Sequence, residues 1–327
     1  MIYNILQHKP PQGERSEVLY YDTMLQVNFI SLNDPAVESC SHLFWTMSAL
    51  CFIVSSLTGN MSQVDKLWSV VPCVYAWILA KDMRTVAMAT LVTLWGIRLS
   101  YNFYRRGGYT FPRFWCGEED YRWSVLRSGR VPHLTFLKNP ILWTIFNLLF
   151  ISIYQHFLLL AIISPSIVAS SAATHAATEV SWNTLDSLAS SLFLIFLLIE
   201  AKADNQQYAF QREKLRKVQL NEDLLGDYKD GFLHTSGLYA YVRKPNYAAE
   251  QALWISYYLF SVAACRGRHN WSFLGCTLLV LLFQGSGWLT ELLTVQKYPK
   301  YEFYKNNVPL YVPSLRQIFS ISPALRQ

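Results

Sequence analysis

The segment from Ser236 to Glu250, SGLYAYVRKPNYAAE, sets tyrosines, an Arg-Lys pair, a proline, an asparagine and a glutamate where a polar loop meets an apolar run. Pro245 marks a helix entry, because proline fits the first helical position and drives Lys244 out of the α region. Residues just beyond it lie at a helix N-terminus, where backbone N–H groups favour an anion such as phosphate. Arg243 adds a planar fork suited to phosphate oxygens. Asn246 and Glu250 are four residues apart and share one helix face. Tyr241 and Tyr247 flank the same box. A competing reading makes the box an interfacial anchor, since Tyr, Arg and Lys commonly sit at headgroup level. An anchor has no need of Asn246 and Glu250, which fall past the interface, where ionisable groups are costly and mark function.

Three further polar constellations stand at the ends of apolar segments: Asp65-Lys66-Leu67-Trp68; Arg98 with Tyr101, Asn102, Tyr104 and Arg105; and Glu200 with Asp204 on one helix face. A bland alternative pairs Asp65 with Arg98. The acidic and aromatic stretch from Gly117 to Trp123 is placed to fold over a cavity mouth. No metal site is expected: the seven His have no ligand spacing, and the six Cys include no CxxC and fall mostly in apolar segments. No P-loop, no GxSxG and no GxGxxG after a strand occurs, so a nucleotide cofactor would have to bind among membrane helices.

The elements that must position these groups read as all-α and polytopic. The chain of 327 residues is 52% hydrophobic and 15% charged, against roughly 25% charged in soluble proteins. Its mean hydropathy of +0.16 hides long apolar blocks alternating with basic loops. Seven apolar segments stand out, near 42–58, 67–80, 86–104, 141–163, 182–200, 247–265 and 271–293. The second is short and holds Pro72, which points to a broken or tilted helix lining a cavity. Residues 202–230 favour a helical extension of the fifth. We read 1–40 as a polar N-terminal segment, 41–313 as one membrane domain and 314–327 as a tail. Lys and Arg crowd 98–138 and 201–245 and are absent from 164–181, which puts the basic loops in the cytosol. The expected setting is a multi-pass protein of the endoplasmic reticulum with its site mouth facing the cytosol. The net charge of +6 suits an anionic leaflet or a phosphorylated ligand and is too diffuse for nucleic acid.

VDKLWSV (64–70), WGIRLSYNFYRRGG (95–108), EDYRW (119–123), GLYAYVRKPNYAAEQALW (237–254) and YPKYEFYKNNVPLYVP (298–313) together resemble the DUF1295 group, proteins similar to steroid 5-alpha-reductases. The resemblance spans roughly 60 to 313. It implies a seven-helix steroid-reductase-like bundle, NADPH bound between cytosolic helix ends, and hydride delivery to a conjugated carbon–carbon double bond of a lipid or sterol-like enone. It assigns Asp204, Tyr241, Asn246 and Glu250 to the cofactor. Arg98, Arg105 and Arg243 are expected at its phosphates, with Tyr247 beside them. Asp65 falls where these enzymes carry a substrate-facing Glu, and Glu200 where they carry Asn. Their catalytic Tyr aligns nearest to Trp95, which leaves Asp65 and Tyr101 as expected hydrogen-bond donors. The RKPNY box is also similar to the RHPxY signature of isoprenylcysteine and phospholipid methyltransferases. That alternative uses S-adenosylmethionine with Arg243, Tyr247 and Glu291, and a third is a non-enzymatic lipid-binding scaffold.

Overall fold

Asp34 starts the first helix. Its carboxylate accepts the Ala36 N–H at 2.9 Å, and Pro35 fills the first helical position. This helix, α1 (Pro35–Thr58), stops where Gly59 turns left-handed at φ 70°. The computed structural model describes residues 34–175 and 181–314, so most of the polar N-terminal segment and of the tail lies outside the described residues. The short second segment is two helices, α2 (Gln63–Trp68) and α3 (Val71–Ile78). They break at Ser69–Val70, with Pro72 in the first turn of α3, where its missing N–H costs nothing.

A capping box between Asp82 and Thr85 opens α4 (Met83–Tyr104). In the following loop Asp120 caps α5 (Tyr121–Arg127). The next helix runs as α6 (Pro140–Phe146), a π-helical stretch (Asn147–Tyr154) and α7 (Gln155–His175). Then come α8 (Thr184–Gln219), the single turn α9 (Asp227–Asp230), α10 (Pro245–Ala264), α11 (Phe273–Lys297) and α12 (Tyr301–Asn307). The helical extension expected after 200 is real but ends before 230: α8, 36 residues in all, runs to Gln219.

The architecture is all-α, with no strand among the described residues. Four helices there are long and apolar enough to cross a membrane: Pro35–Thr58, Pro140–Thr174, Thr184–Gln219 and Phe273–Lys297. The apolar segments near 86–104 and 247–265 are also helices, α4 and α10, but both carry buried polar groups that lower their hydropathy. Leu57, Ile97, Leu198 and Leu281 stand exposed on long helices, as lipid contact requires. The core gathers Tyr75, Trp95, Phe193, Trp254, Tyr257 and Phe260, with α10 packed along α8 and against α7 and α11.

Arg84 and Asp186 form a buried pair at 2.7 Å near the start of α4. Arg98 lies four turns further along, on the order of 20 Å away. At Gly96 a Cβ would meet the Ser69 carbonyl oxygen and Cys73 Sγ, each at 2.5 Å, so α4 crosses the α2–α3 break at backbone contact. Gly96→Ala should therefore cost about 1–3 kcal/mol by overpacking. A lowered unfolding midpoint in detergent checks this, and an unchanged midpoint would contradict it.

Candidate functional site

Arg98, in the last turns of α4, draws three carboxylates from two other helices. Its Nη1 lies 2.7 Å from Glu200 and 2.6 Å from Asp204 on α8, and its Nη2 lies 3.4 Å from Glu250 on α10. Glu200 and Asp204 reach it together because four residues make one helical turn. Asn246 Nδ2 donates to Asp204 at 3.4 Å. Glu250 accepts from Trp95 Nε1 at 3.0 Å and from Trp254 Nε1 at 2.8 Å, and the two indoles pack edge to face. The carboxylate of the box is thus held by one tryptophan a turn along its own helix and by another from α4. Glu200 Oε2 and Arg98 Nε have no hydrogen-bond partner among the described residues. The alternative pairing of Arg98 with Asp65 is replaced by this cluster.

Beside it, Arg98, Tyr101, Asn102, Arg105, Ala201, Asp204 and Asn205 line a cavity of about 160 Å³. Tyr101 is 60% exposed at its rim, so it stands at the opening and not in the interior. Arg105 is held by neutral groups: Asn205 Oδ1 at 2.5 Å, Asn102 Oδ1 at 3.0 Å, and the ring faces of Tyr101 and Tyr208. No carboxylate pairs with it among the described residues.

Asp65 belongs to a second group. Trp123 Nε1 donates to it at 3.1 Å from α5. The loop before α5 is fastened to α2: Lys66 Nζ donates to the Cys116 carbonyl at 2.8 Å, Tyr109 OH to the Lys66 carbonyl at 2.8 Å, and Asp120 N to Ser62 Oγ at 2.8 Å. Burial, with Asp120 close by, raises the Asp65 carboxyl above its ordinary range. Arg122, 2.8 Å from Asp120, holds that carboxyl below the usual range despite its burial.

Asp65, Arg122, Lys244 and Tyr247 are each only partly exposed. Arg122 lies within electrostatic reach of Asp65, Tyr247 and Lys244, which brings the EDYRW loop to the RKPNY box. Burial pushes the Lys244 amine down to about 8. Arg106 acts on both Asp120 and Asp204 and so sits between the two groups.

Arg243 is committed elsewhere. It pairs with Glu291 of α11 at 2.5 Å and donates to the carbonyls of Lys305 and Val308. Tyr301 OH also reaches Glu291, at 3.1 Å. The Arg243 and Lys244 amides donate to the carbonyls of Pro309 and Leu310, each at 3.0 Å, so the chain after α12 straps the entrance of α10. This pairing is why the YPKYEFYKNNVPLYVP stretch accompanies the box. Tyr247 packs edge-on against Phe283 under Lys244, and Tyr241 is exposed at the surface. A lone acid in an apolar run, such as Glu291, signals a buried partner from sequence. Nothing in the sequence names Arg243 as that partner.

The loop leading to the box has its own pin. His234 lies 2.9 Å from Asp227 and 3.6 Å from Asp230, which also meets Lys300 at 2.6 Å, and the His234 and Thr235 amides donate to Asp227. These acids raise the His234 pKa, and His234 lowers that of Asp227. A raised His contributes stability that is full below about 6.5 and lost as pH rises through its folded value. Limited proteolysis within 226–235 should accelerate from pH 6 to pH 9, and His234→Gln should remove that dependence.

Comparison with known proteins matches this arrangement to a group without an assigned activity. An uncharacterized protein of Schizosaccharomyces pombe, C594.04c, is 33% identical over 277 residues, covering 80% of this chain and 75% of its own length. No solved structure matches this chain. The family model of DUF1295, a protein family of unknown function, matches residues 51–308, which include every group of both clusters, and the chain belongs to that family.

Proposed function

We propose that this chain is a membrane-bound, NADPH-dependent reductase of a carbon–carbon double bond in a lipid or sterol-like enone. The observation that carries the reading is a polar cavity beside a second charged group. The cavity at the ends of α4 and α8 is linked, through the electrostatic reach of Arg106, to the group of Asp65, Asp120, Arg122, Lys244 and Tyr247. We place the mouth on the cytosolic side from the basic loops, and propose the endoplasmic reticulum as the membrane on the family resemblance.

The donor set fits a phosphorylated dinucleotide. Arg105, Arg106 and Lys244 supply positive charge for phosphates, whereas Arg98 and Arg243 are neutralised by carboxylates. Asp204 and Asn246 offer an acceptor and an amide for ribose hydroxyls or a carboxamide. Bound reduced nicotinamide supplies a hydride.

A hydride arriving at the β-carbon leaves negative charge on the enone oxygen, which a nearby donor must stabilise. Asp65 is the better placed of the two expected donors: it is enclosed, and its raised pKa keeps it protonated further up the pH scale. Tyr101 stands at the opening instead. Trp95 occupies the position where the resemblance expects tyrosine, and its indole is already committed to Glu250.

Purified protein should gain thermal stability with NADPH, by about 2.7 kcal/mol at a hundredfold excess over Kd. A response to S-adenosylhomocysteine and none to NADPH would replace this reading with methyl transfer. Lys244 grips phosphate only when protonated, so NADPH affinity should be full below about 8 and fall as pH rises through it. Lys244→Met should flatten that fall.

A further inference from the structure

The loop between α4 and α5 is built inside out. Its large apolar side chains are the exposed ones: Phe111 is 82% exposed, Phe114 56% and Trp115 42%, with Pro112 and Arg113 exposed between them. Its backbone polar groups are turned to the protein. Gln63 Nε2 donates to the Trp115 carbonyl at 2.8 Å, Lys66 Nζ to the Cys116 carbonyl at 2.8 Å, and Asn60 Nδ2 to the Gly117 carbonyl at 3.1 Å. Thr110 Oγ1 and the Cys116 amide both donate to the Arg113 carbonyl, at 2.8 and 2.9 Å. These bonds hold the backbone, so the aromatic rings are presented by a fixed frame. Three large rings within five residues form an apolar patch of the kind that marks an interaction surface.

The loop also turns back along α4. Tyr109 packs edge to face on Phe103, and its hydroxyl lies 3.2 Å from Ser69 Oγ, which accepts from Ser100 Oγ at 2.8 Å. Ser100 stands four residues before the end of α4, so Tyr109 reaches back about 6 Å along that helix. Ser69 immediately precedes Val70, Val74 and Trp77, which share one exposed face of α3. The loop is therefore joined to the bundle where a face suited to lipid contact begins.

Arg113 makes no ion pair among the described residues. An arginine set among Phe and Trp is the composition of a membrane interface, where rings sit at headgroup level and the guanidinium meets lipid phosphate. The depth is bounded from below, because irregular backbone is not tolerated facing hydrocarbon.

We propose that residues 109–116 dock into the headgroup layer of the adjoining leaflet, with Phe111, Phe114 and Trp115 among the upper acyl chains and Arg113 at lipid phosphates. The partner is the lipid surface itself. The loop is thus a membrane-seated hairpin and not a solvated connection between helices.

The test needs no enzymatic activity, so it stands apart from the reductase reading. The full-length protein in lipid nanodiscs carries Phe111→Cys in a Cys116→Ser background, labelled with an environment-sensitive NBD maleimide. Cys116→Ser alone, treated in the same way, supplies the blank. Phe111 is so exposed that this change should leave the unfolding midpoint as in wild type. The probe should emit blue-shifted light and lose most of it to a nitroxide placed on the acyl chain near the headgroup, while aqueous iodide has little effect. The same dye at Phe114→Cys should agree. At Glu118→Cys, exposed at the polar base of the loop, the order should reverse. Quenching at 111 and 114 by iodide and not by the lipid nitroxide would overturn the proposal, since the loop then lies in water. A blue-shifted probe that neither quencher reaches would overturn it too, since protein then covers the loop.

Discussion

Arg98→Leu is expected to be the most damaging single change in the molecule. It leaves Glu200, Asp204 and Glu250 buried without their shared cation. Removing one partner of a buried ion pair costs about 3–5 kcal/mol, and here one guanidinium serves three carboxylates. A midpoint drop on the order of 10 °C, or loss of folded protein, should follow. Arg98→Lys should rescue little, because an ammonium lacks the planar fork that spans two helices at once. Adding Glu200→Gln to Arg98→Leu should recover part of the loss by lowering the uncompensated charge. Thermal unfolding in detergent measures all three variants, and a wild-type midpoint for Arg98→Leu would mean the cluster does not hold the helices together.

The second large effect is expected at Arg243→Ala. Reading the sequence gives Arg243 a phosphate; the structure gives it Glu291 and the carbonyls of Lys305 and Val308. The variant should leave Glu291 buried with Tyr301 as its remaining partner and should loosen the strap over α10. The expected cost is again about 3–5 kcal/mol, with new protease cleavage in 298–314. Replacing the pair together, Arg243→Met with Glu291→Leu, should restore the midpoint, because hydrophobic replacement of a buried pair is often neutral or stabilising. If Arg243→Ala instead weakens NADPH binding while cleavage and midpoint stay as in wild type, the arginine contacts the ligand and the strap does not depend on it.

Much of the scaffold was legible because hydropathy and proline act locally. Pro245 opens α10, Pro72 follows the break between α2 and α3, and α8 runs on past the apolar segment as its polar helix formers suggested. The grouping of Arg98 with Glu200, Asp204 and Glu250 was legible only as charged residues at the same ends of apolar runs. Which charge meets which was not, since pairing is set by helix rotation and crossing. Asp65 therefore meets Trp123 and not Arg98, and Glu250 meets two indoles. The contact of Arg243 with Glu291 spans 48 residues and has no local signature.

The three-helix charge cluster also bears on how the chain is made. Arg98 leaves the ribosome about 100 residues before Glu200 and about 150 before Glu250. Until then α4 carries an unpaired guanidinium in its last turns; a charge at mid-helix is penalised by about 2.5–3.5 kcal/mol on insertion scales, and one nearer the end by less. Neither α4 nor α10 is among the four helices apolar enough to cross a membrane by length and composition. Both should stay near the insertion machinery until α8 arrives with Glu200 and Asp204. Chains truncated before α8 should then expose Arg98 to membrane quality control, so that the same contact which assembles the site also reports that assembly is complete.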